Sequence, residues 1–272
     1  MAKRFALVSI ACFLVWFMCC DRNVGRQVYN VGDQSFQVPT APVVPSDPRL
    51  EVIRQINLQN AKIDTLQGDL DIDTKKRFVN LHGKLAFQKE KNFRFVIHSR
   101  MRKEMDLGSN ESDFWFMSSQ YESNALFYCR HDLVGQARLK TPFHPVWMMD
   151  SLGFGRVDTE GVTLMNKDSY LAVIKDTEDA RKQPCRIVTM VDPKKSRVCG
   201  FYLYDQEGNL LASSEVMKYD SSDLYPRRWS MRWNVEGLSM ELELLNPSVN
   251  HPVDPAQWRM PAAKRVVDMS KN

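Results

Sequence analysis

The sequence predicts a mainly β fold of the α+β class. It is a curled antiparallel sheet of about ten to eleven strands, with an N-terminal helix and short helices laid against it. Three observations carry this. Apolar and polar residues alternate along many short runs, as in Trp229-Ser230-Met231-Arg232-Trp233 and Met240-Glu241-Leu242-Glu243-Leu244, and a period of two marks a half-buried strand. Most of these runs are separated by turn sequences, so successive strands pair as a meander. A sheet of that length curls, because each strand is twisted relative to its neighbour.

The first segment is an address. Lys3 and Arg4 precede an uncharged run over residues 5–18, and Cys19 and Cys20 close it before Asp21 and Arg22. This is the layout of a secretory signal peptide. Read instead as an uncleaved anchor helix, the run falls short of the roughly 20 residues that span a bilayer. A cysteine at the end of such a run resembles a lipoprotein cleavage site, where the thiol takes a diacylglycerol. The residue before that cysteine is usually small, and Met18 before Cys19 is not. Cys20 is the first candidate for lipidation, Cys19 the second, and Cys12 in Ser9-Ile10-Ala11-Cys12 the third. Residues 21–47 show no period and end in Val38-Pro39-Thr40-Ala41-Pro42-Val43-Val44-Pro45. That composition favours an extended, flexible tether. The expected division is a signal segment over 1–20, a tether over 21–47, a single domain over 48–262 and a tail over 263–272.

The domain opens with Ser46-Asp47-Pro48, a capping residue and a proline suited to a first helical turn. Leu50, Ile53, Ile56 and Leu58 continue it as a helix of about fifteen residues. Strands are expected over 83–88, 92–101, 113–117, 125–130, 169–175, 186–191, 198–204, 209–219, 229–235 and 240–244. The turns Asp192-Pro193-Lys194-Lys195 and Asp205-Gln206-Glu207-Gly208 separate three of them. Thr141-Pro142-Phe143-His144-Pro145 leads into Val146-Trp147-Met148-Met149-Asp150-Ser151-Leu152-Gly153. Proline before and glycine after frame a short, very apolar helix, either a plug in the core or a lid over a cavity.

Composition and motifs narrow the function. The chain is 43% hydrophobic and 26% charged, which suits a packed domain. Its net charge of +4 comes from interleaved signs, without a basic surface for nucleic acid. No nucleophile elbow, P-loop or dinucleotide-binding glycine pattern occurs. The histidines at 82, 98, 131, 144 and 251 stand apart, with no metal-ligand spacing. His131-Asp132 is the one adjacent His–carboxylate pair, and Ser109 has no evident base beside it. The chain therefore reads as a binding protein with no cofactor and no metal, rather than an enzyme. In an exported protein, Cys185 and Cys199 on either side of the Asp192–Lys195 turn suggest a bridge, or else small buried side chains.

The ligand site is expected where apolar faces converge. Trp229, Met231 and Trp233 share one face of a strand, Phe93 and Phe95 form a similar pair, and Trp147, Met148 and Met149 face them from the short helix.

These features together resemble the LolA/LolB-like lipoprotein carriers of the periplasm. The likeness runs from about Asp47 to Pro261 along the order of local patterns. Leu81-His82-Gly83-Lys84-Leu85 is followed by Phe93-Arg94-Phe95. Asp106-Leu107-Gly108-Ser109-Asn110 reads as a turn before Phe114-Trp115-Phe116. The lid over residues 145–152 comes next, and Trp258-Arg259-Met260-Pro261 closes the chain. The resemblance implies a half-barrel whose lid helices cover an apolar cavity holding lipid or lipoprotein acyl chains. It implies a role in lipoprotein transport and outer-membrane biogenesis, with membrane contact through the N-terminal lipid and with partners among other envelope transport components. The Arg-Pro pair of the soluble carrier has no counterpart near Lys89-Glu90. A structural envelope lipoprotein with a filled core is the competing reading. Asp21, after the lipidated cysteine, leaves the inner membrane open as the location.

Overall fold

The computed structural model describes residues 47–271 other than 75–80, 90, 119–124, 138–146, 180–181 and 235–237. Helix α1 spans Arg49–Asn60 and is followed by strands β1 (Thr65–Asp73), β2 (Leu81–Gln88), β3 (Asn92–His98), β4 (Lys103–Ser109), β5 (Asp113–Ser118) and β6 (Ala125–Arg130). The link to the next strand carries a 3₁₀ turn at His131–Gln136 and helix α2 (Trp147–Ser151). Then come β7 (Thr163–Lys167), β8 (Tyr170–Glu178), β9 (Pro184–Asp192), β10 (Arg197–Asp205), β11 (Leu210–Tyr219), β12 (Pro226–Trp233) and β13 (Leu238–Val249). A second 3₁₀ turn at Pro255–Trp258 precedes β14 (Arg265–Asp268).

All fourteen strands belong to one sheet, in the order β14-β6-β5-β4-β3-β2-β1-β13-β12-β11-β10-β9-β8-β7. It is two meanders, β1 to β6 and β7 to β13, joined where β13 returns to pair antiparallel with β1. Every pairing is antiparallel except that of β14, which runs parallel to β6. The sheet stays open: β7 and β14 are its edges. The mainly β architecture is as the alternation predicts, with more strands than the ten or eleven expected.

The additional strands have physical reasons for escaping the pattern. In β1 the alternation of Leu66, Leu70 and Ile72 is broken by a bulge between Gln67 and Asp69. Gly68 sits there because a Cβ would come within 2.8 Å of the Leu245 carbonyl on β13. Residues 106–109, expected as a turn, lie inside β4. Asp106 can occupy a strand because Arg94 and Lys103 bind its carboxylate, and Gly108 leaves room for the Trp115 ring, which any Cβ at 108 would overlap.

Helix α1 starts where expected. Asp47 caps it, accepting from the Arg49 backbone N–H at 2.8 Å and from the Arg49 guanidinium. Leu50, Ile53 and Ile56 are buried against Val162, Leu164, Val173 and Val198 of the second meander. Leu58, expected on that face, is 59% exposed, because the helix turns it away. The far end of α1 clamps the segment after α2. Asn57 exchanges two hydrogen bonds with the Val157 backbone, and the Asn60 amide donates to the carbonyls of Gly153 and Gly155.

Candidate functional site: an apolar chamber beneath a short helix

Five neighbouring strands, β3-β2-β1-β13-β12, send side chains toward one void beneath α2. Residues on strands that far apart reach a common space only on the concave side of a curled sheet. Period two places Trp229, Met231 and Trp233 of β12 on that face, at 0%, 4% and 4% exposure. Phe93 and Phe95 of β3 are buried beside them.

Helix α2 covers the void with Met148, Met149 and the following Leu152. Its last turn is closed by Gly153, whose φ of +81° suits a glycine after a helix C-terminus. The Gly153 N–H donates to Asp150 O and the Phe154 N–H to Met149 O. The Trp229 indole N–H donates to the Leu152 carbonyl at 3.0 Å, tying the helix to the sheet. Phe154 then stacks on Phe87 and meets Trp229 edge-on.

All eight residues expected at the site fall in one buried cluster. Seven of them, Phe93, Phe95, Met148, Met149, Trp229, Met231 and Trp233, line the chamber. Trp147 does not: it turns to a second cavity on the other side of α2. The chamber also takes in Leu70, Leu85, Met240 and Leu242. Strand alternation signals the last three, whereas Leu70 was hidden by the bulge in β1. Every lining residue is apolar, and the void is about 20 Å³, room for about one water molecule. Methionine is the lining residue best able to change shape, being unbranched and polarizable.

The second cavity, about 90 Å³, lies between α2, residues 153–158 and strands β8, β9 and β10. It is partly polar, with Asp150, Asp158, Lys175, Thr177 and Thr189 among its walls. Sequence reading gave no hint of it, because its charged groups come from three separate segments.

Other expected residues fall elsewhere. Cys19, Cys20 and Cys12 lie outside the described residues. No disulfide joins Cys185 to Cys199. Cys185 pairs with Asp205 at one end of the β9–β10 hairpin, while Cys199 sits in a bulge near the turn at the other end. The chain turns between Asp192 and Arg197, which pair, so Cys199 lies beside Met190 and Val191, far along β9 from Cys185. Burial pushes the Cys199 thiol up to about 11, the pKa of an unreactive thiol.

Ser109 does meet a histidine, which sequence reading did not find. Its Oγ is 3.1 Å from Nε2 of His131, and that same nitrogen is 2.9 Å from the Asn110 carbonyl. A carbonyl only accepts, so Nε2 carries the proton and cannot take one from Ser109. Among the described residues no group of three or more His, Cys, Asp or Glu is placed to hold a metal.

Two solved structures share this architecture. A putative outer membrane lipoprotein-sorting protein domain from Vibrio parahaemolyticus matches at a TM-score of 0.50 and 12% identity, covering 77% of this chain and 95% of its own. A LolA superfamily protein from Nitrosomonas europaea matches at a TM-score of 0.50 and 12% identity, over 78% of this chain and 97% of its own. The fold is thus LolA-like: an open, curled antiparallel sheet with a helix across its concave face. No family model matches the chain, and neither does any curated protein sequence.

Proposed function

We propose that this protein is a lipid-anchored carrier of the cell envelope that takes an acyl chain, from a lipoprotein or a free lipid, into the chamber beneath α2. The observation that carries the reading is the chamber itself: its walls are wholly apolar and methionine-rich, and a helix described over Trp147–Ser151 closes it. Burying an acyl chain there is favourable by about 25 cal/mol for each Å² of apolar surface removed from water. The void of about 20 Å³ is the closed state. Loading requires α2 to shift and the methionines to change rotamer. The fold's likeness to lipoprotein-sorting structures supports this reading, as do the signal-like N-terminus and the cysteines that follow it.

The small void equally favours a second reading, an envelope assembly protein with a filled core. One pair of variants separates them. In a carrier the wild type binds a fluorescent acyl probe, and Met231→Gln and Met148→Gln weaken that binding. In a filled core they cost one to several kcal/mol, because a buried amide goes unpaired, and the wild type binds no probe. Mass spectrometry of detergent-free protein supplies the independent check, with copurified lipid expected of a carrier.

A further inference from the structure

The outer face of the sheet, turned away from the chamber, carries an apolar patch of its own. In β8, Leu171 and Val173 pack in the cluster under α1, so Ala172 and Ile174 point to the other side. Val188 of β9 joins them, ringed by Met165 of β7, Met190 of β9 and Tyr202 and Tyr204 of β10. Among the described residues, every hydrophobic member of this cluster comes from those four strands. Yet Ala172, Ile174 and Val188 are buried as core residues are, at 0%, 2% and 1% exposure. We propose that the proline-rich stretch Phe36–Pro45 of this same chain docks across the patch. The proposal does not require the chamber to hold an acyl chain.

Where the described chain begins selects this occupant. Asp47 binds the Arg49 guanidinium at 2.6 Å, and Arg49 Nη1 donates to the Leu164 carbonyl at 3.0 Å. Leu164 lies on β7, an edge of the sheet, and its neighbour Met165 belongs to the patch. Asp47 therefore stands at the rim that separates α1 from the outer face. From β7 to β10 is three strand spacings, about 14 Å. A polyproline chain crosses that in about five residues, fewer than the stretch 36–45 supplies.

The spacing of the prolines gives the mode of contact. Pro39, Pro42 and Pro45 stand three apart, which is the repeat of a polyproline helix, so they share one side of it. Such a side packs on presented aromatic rings. Tyr202 presents one. A Cβ at Gly200 would come within 3.0 Å of its ring, so the ring folds back over Gly200, and its hydroxyl donates to Glu215 Oε1 at 3.4 Å. Tyr204 follows on the same face. Prolines lack the N–H that a strand added to the β7 edge would use, so the face suits them better than the edge. Charge agrees. Residues 36–45 carry none, and at the margin of the patch Arg186 and Asp176 neutralise each other at 2.6 Å. Elsewhere the outer face is charged, with Asp71, Lys84, Arg228 and Arg232 exposed. Seated on the patch, residues 36–45 leave only 21–35 as spacer between Cys20 and the domain.

The test is hydroxyl-radical footprinting, read by mass spectrometry, of the purified protein with its N-terminal segment intact. It is compared with a variant that combines Pro39→Ser, Pro42→Ser and Pro45→Ser. Methionine oxidises readily where solvent reaches it. Met101, 88% exposed between β3 and β4, and Met105, 2% exposed, serve as the open and closed references. Oxidation of Met165, Met190 and Tyr202 is expected to rise severalfold in the variant, with Met101 and Met105 unchanged. A peptide of residues 36–46 added to the variant should restore the protection, and the same peptide carrying the three substitutions should not. Equal oxidation in wild type and variant overturns the proposal, as does restoration by both peptides alike. A rise shared by Met105 means loss of the fold rather than uncovering of one face, and counts against it. Wild-type protection that fades on dilution and survives the three substitutions means that a second copy covers the patch, and overturns it too. None of these readings involves the chamber, so the carrier reading and this one stand or fall separately.

Discussion

Asp106 is fully buried and Asp150 partly so, and their surroundings drive the two carboxyls in opposite directions. Burial alone would raise the Asp106 pKa, but bonds from Arg94 at 2.7 Å and 3.0 Å and from Lys103 at 2.8 Å outweigh it and hold the carboxyl below its usual range. Arg94 also donates to the Gln257 carbonyl, so the cluster pins the C-terminal 3₁₀ turn to β3. Asp106→Asn leaves Arg94 and Lys103 without their shared anion, and a loss of about 3 kcal/mol is expected in urea unfolding at pH 7. The wild-type contribution is present above the ordinary carboxylate pKa and vanishes as pH falls through the lowered folded value. Asp150 has the reverse sign. Its folded pKa of about 7 exceeds the unfolded 3.8, so the folded state binds the proton more tightly. Its ionisation therefore erodes stability as pH rises between those values, by at most about 4 kcal/mol. Asp150→Asn should flatten that slope, making the variant the more stable protein at pH 8 but not at pH 4. A stability profile identical to wild type across that range would mean that Asp150 titrates normally.

At the scale of elements, the two ends of the chain's reading differ. The strands from β8 to β13 were legible because one face of each is apolar and the turns between them carry Asp, Pro or Gly. Asp192 shows the mechanism: its carboxylate accepts from the Lys194 and Lys195 N–H groups and closes the β9–β10 turn. The chamber was largely legible for the same reason, since seven of its residues follow from period two or from the apolar helix. What could not be read depended on partners far away in sequence. β4 is a strand only because Arg94 and Trp115 accommodate Asp106 and Gly108. β14 lies in what reads as a polar tail, yet it docks on β6 and buries Met269 against Phe114, Phe116 and Phe127. Removing residues 263–272 is therefore expected to cost a few kcal/mol through the lost apolar contact, seen as a lower urea midpoint. An unchanged midpoint would show that β14 contributes nothing to the folded state.

On the scale of the whole molecule, the proposed anchor belongs to the N-terminal segment. If Cys20 is the lipidated residue, with Cys19 as its substitute, changing both to Ser releases the protein from membranes into the soluble exported fraction. Retention of the double variant with its signal removed would sink the anchored reading and leave residues 21–47 as a plain N-terminal tail. The sheet order carries a different consequence, for how the chain comes to be folded. Both edges of the first meander are covered by the last strands made: β13 closes β1, and β14 closes β6. Thr65 Oγ1 donates to the His251 carbonyl across 186 residues of sequence. Contacts that distant form late, after the loop entropy between them has been overcome. A chain emerging N-terminus first thus presents two bare strand edges, each a template for pairing with another molecule, until its final residues arrive. In the finished sheet β1 and β6 are covered, and the edges pass to β7 and β14. If the chain is exported as proposed, this topology calls for shielding until β13 and β14 have paired.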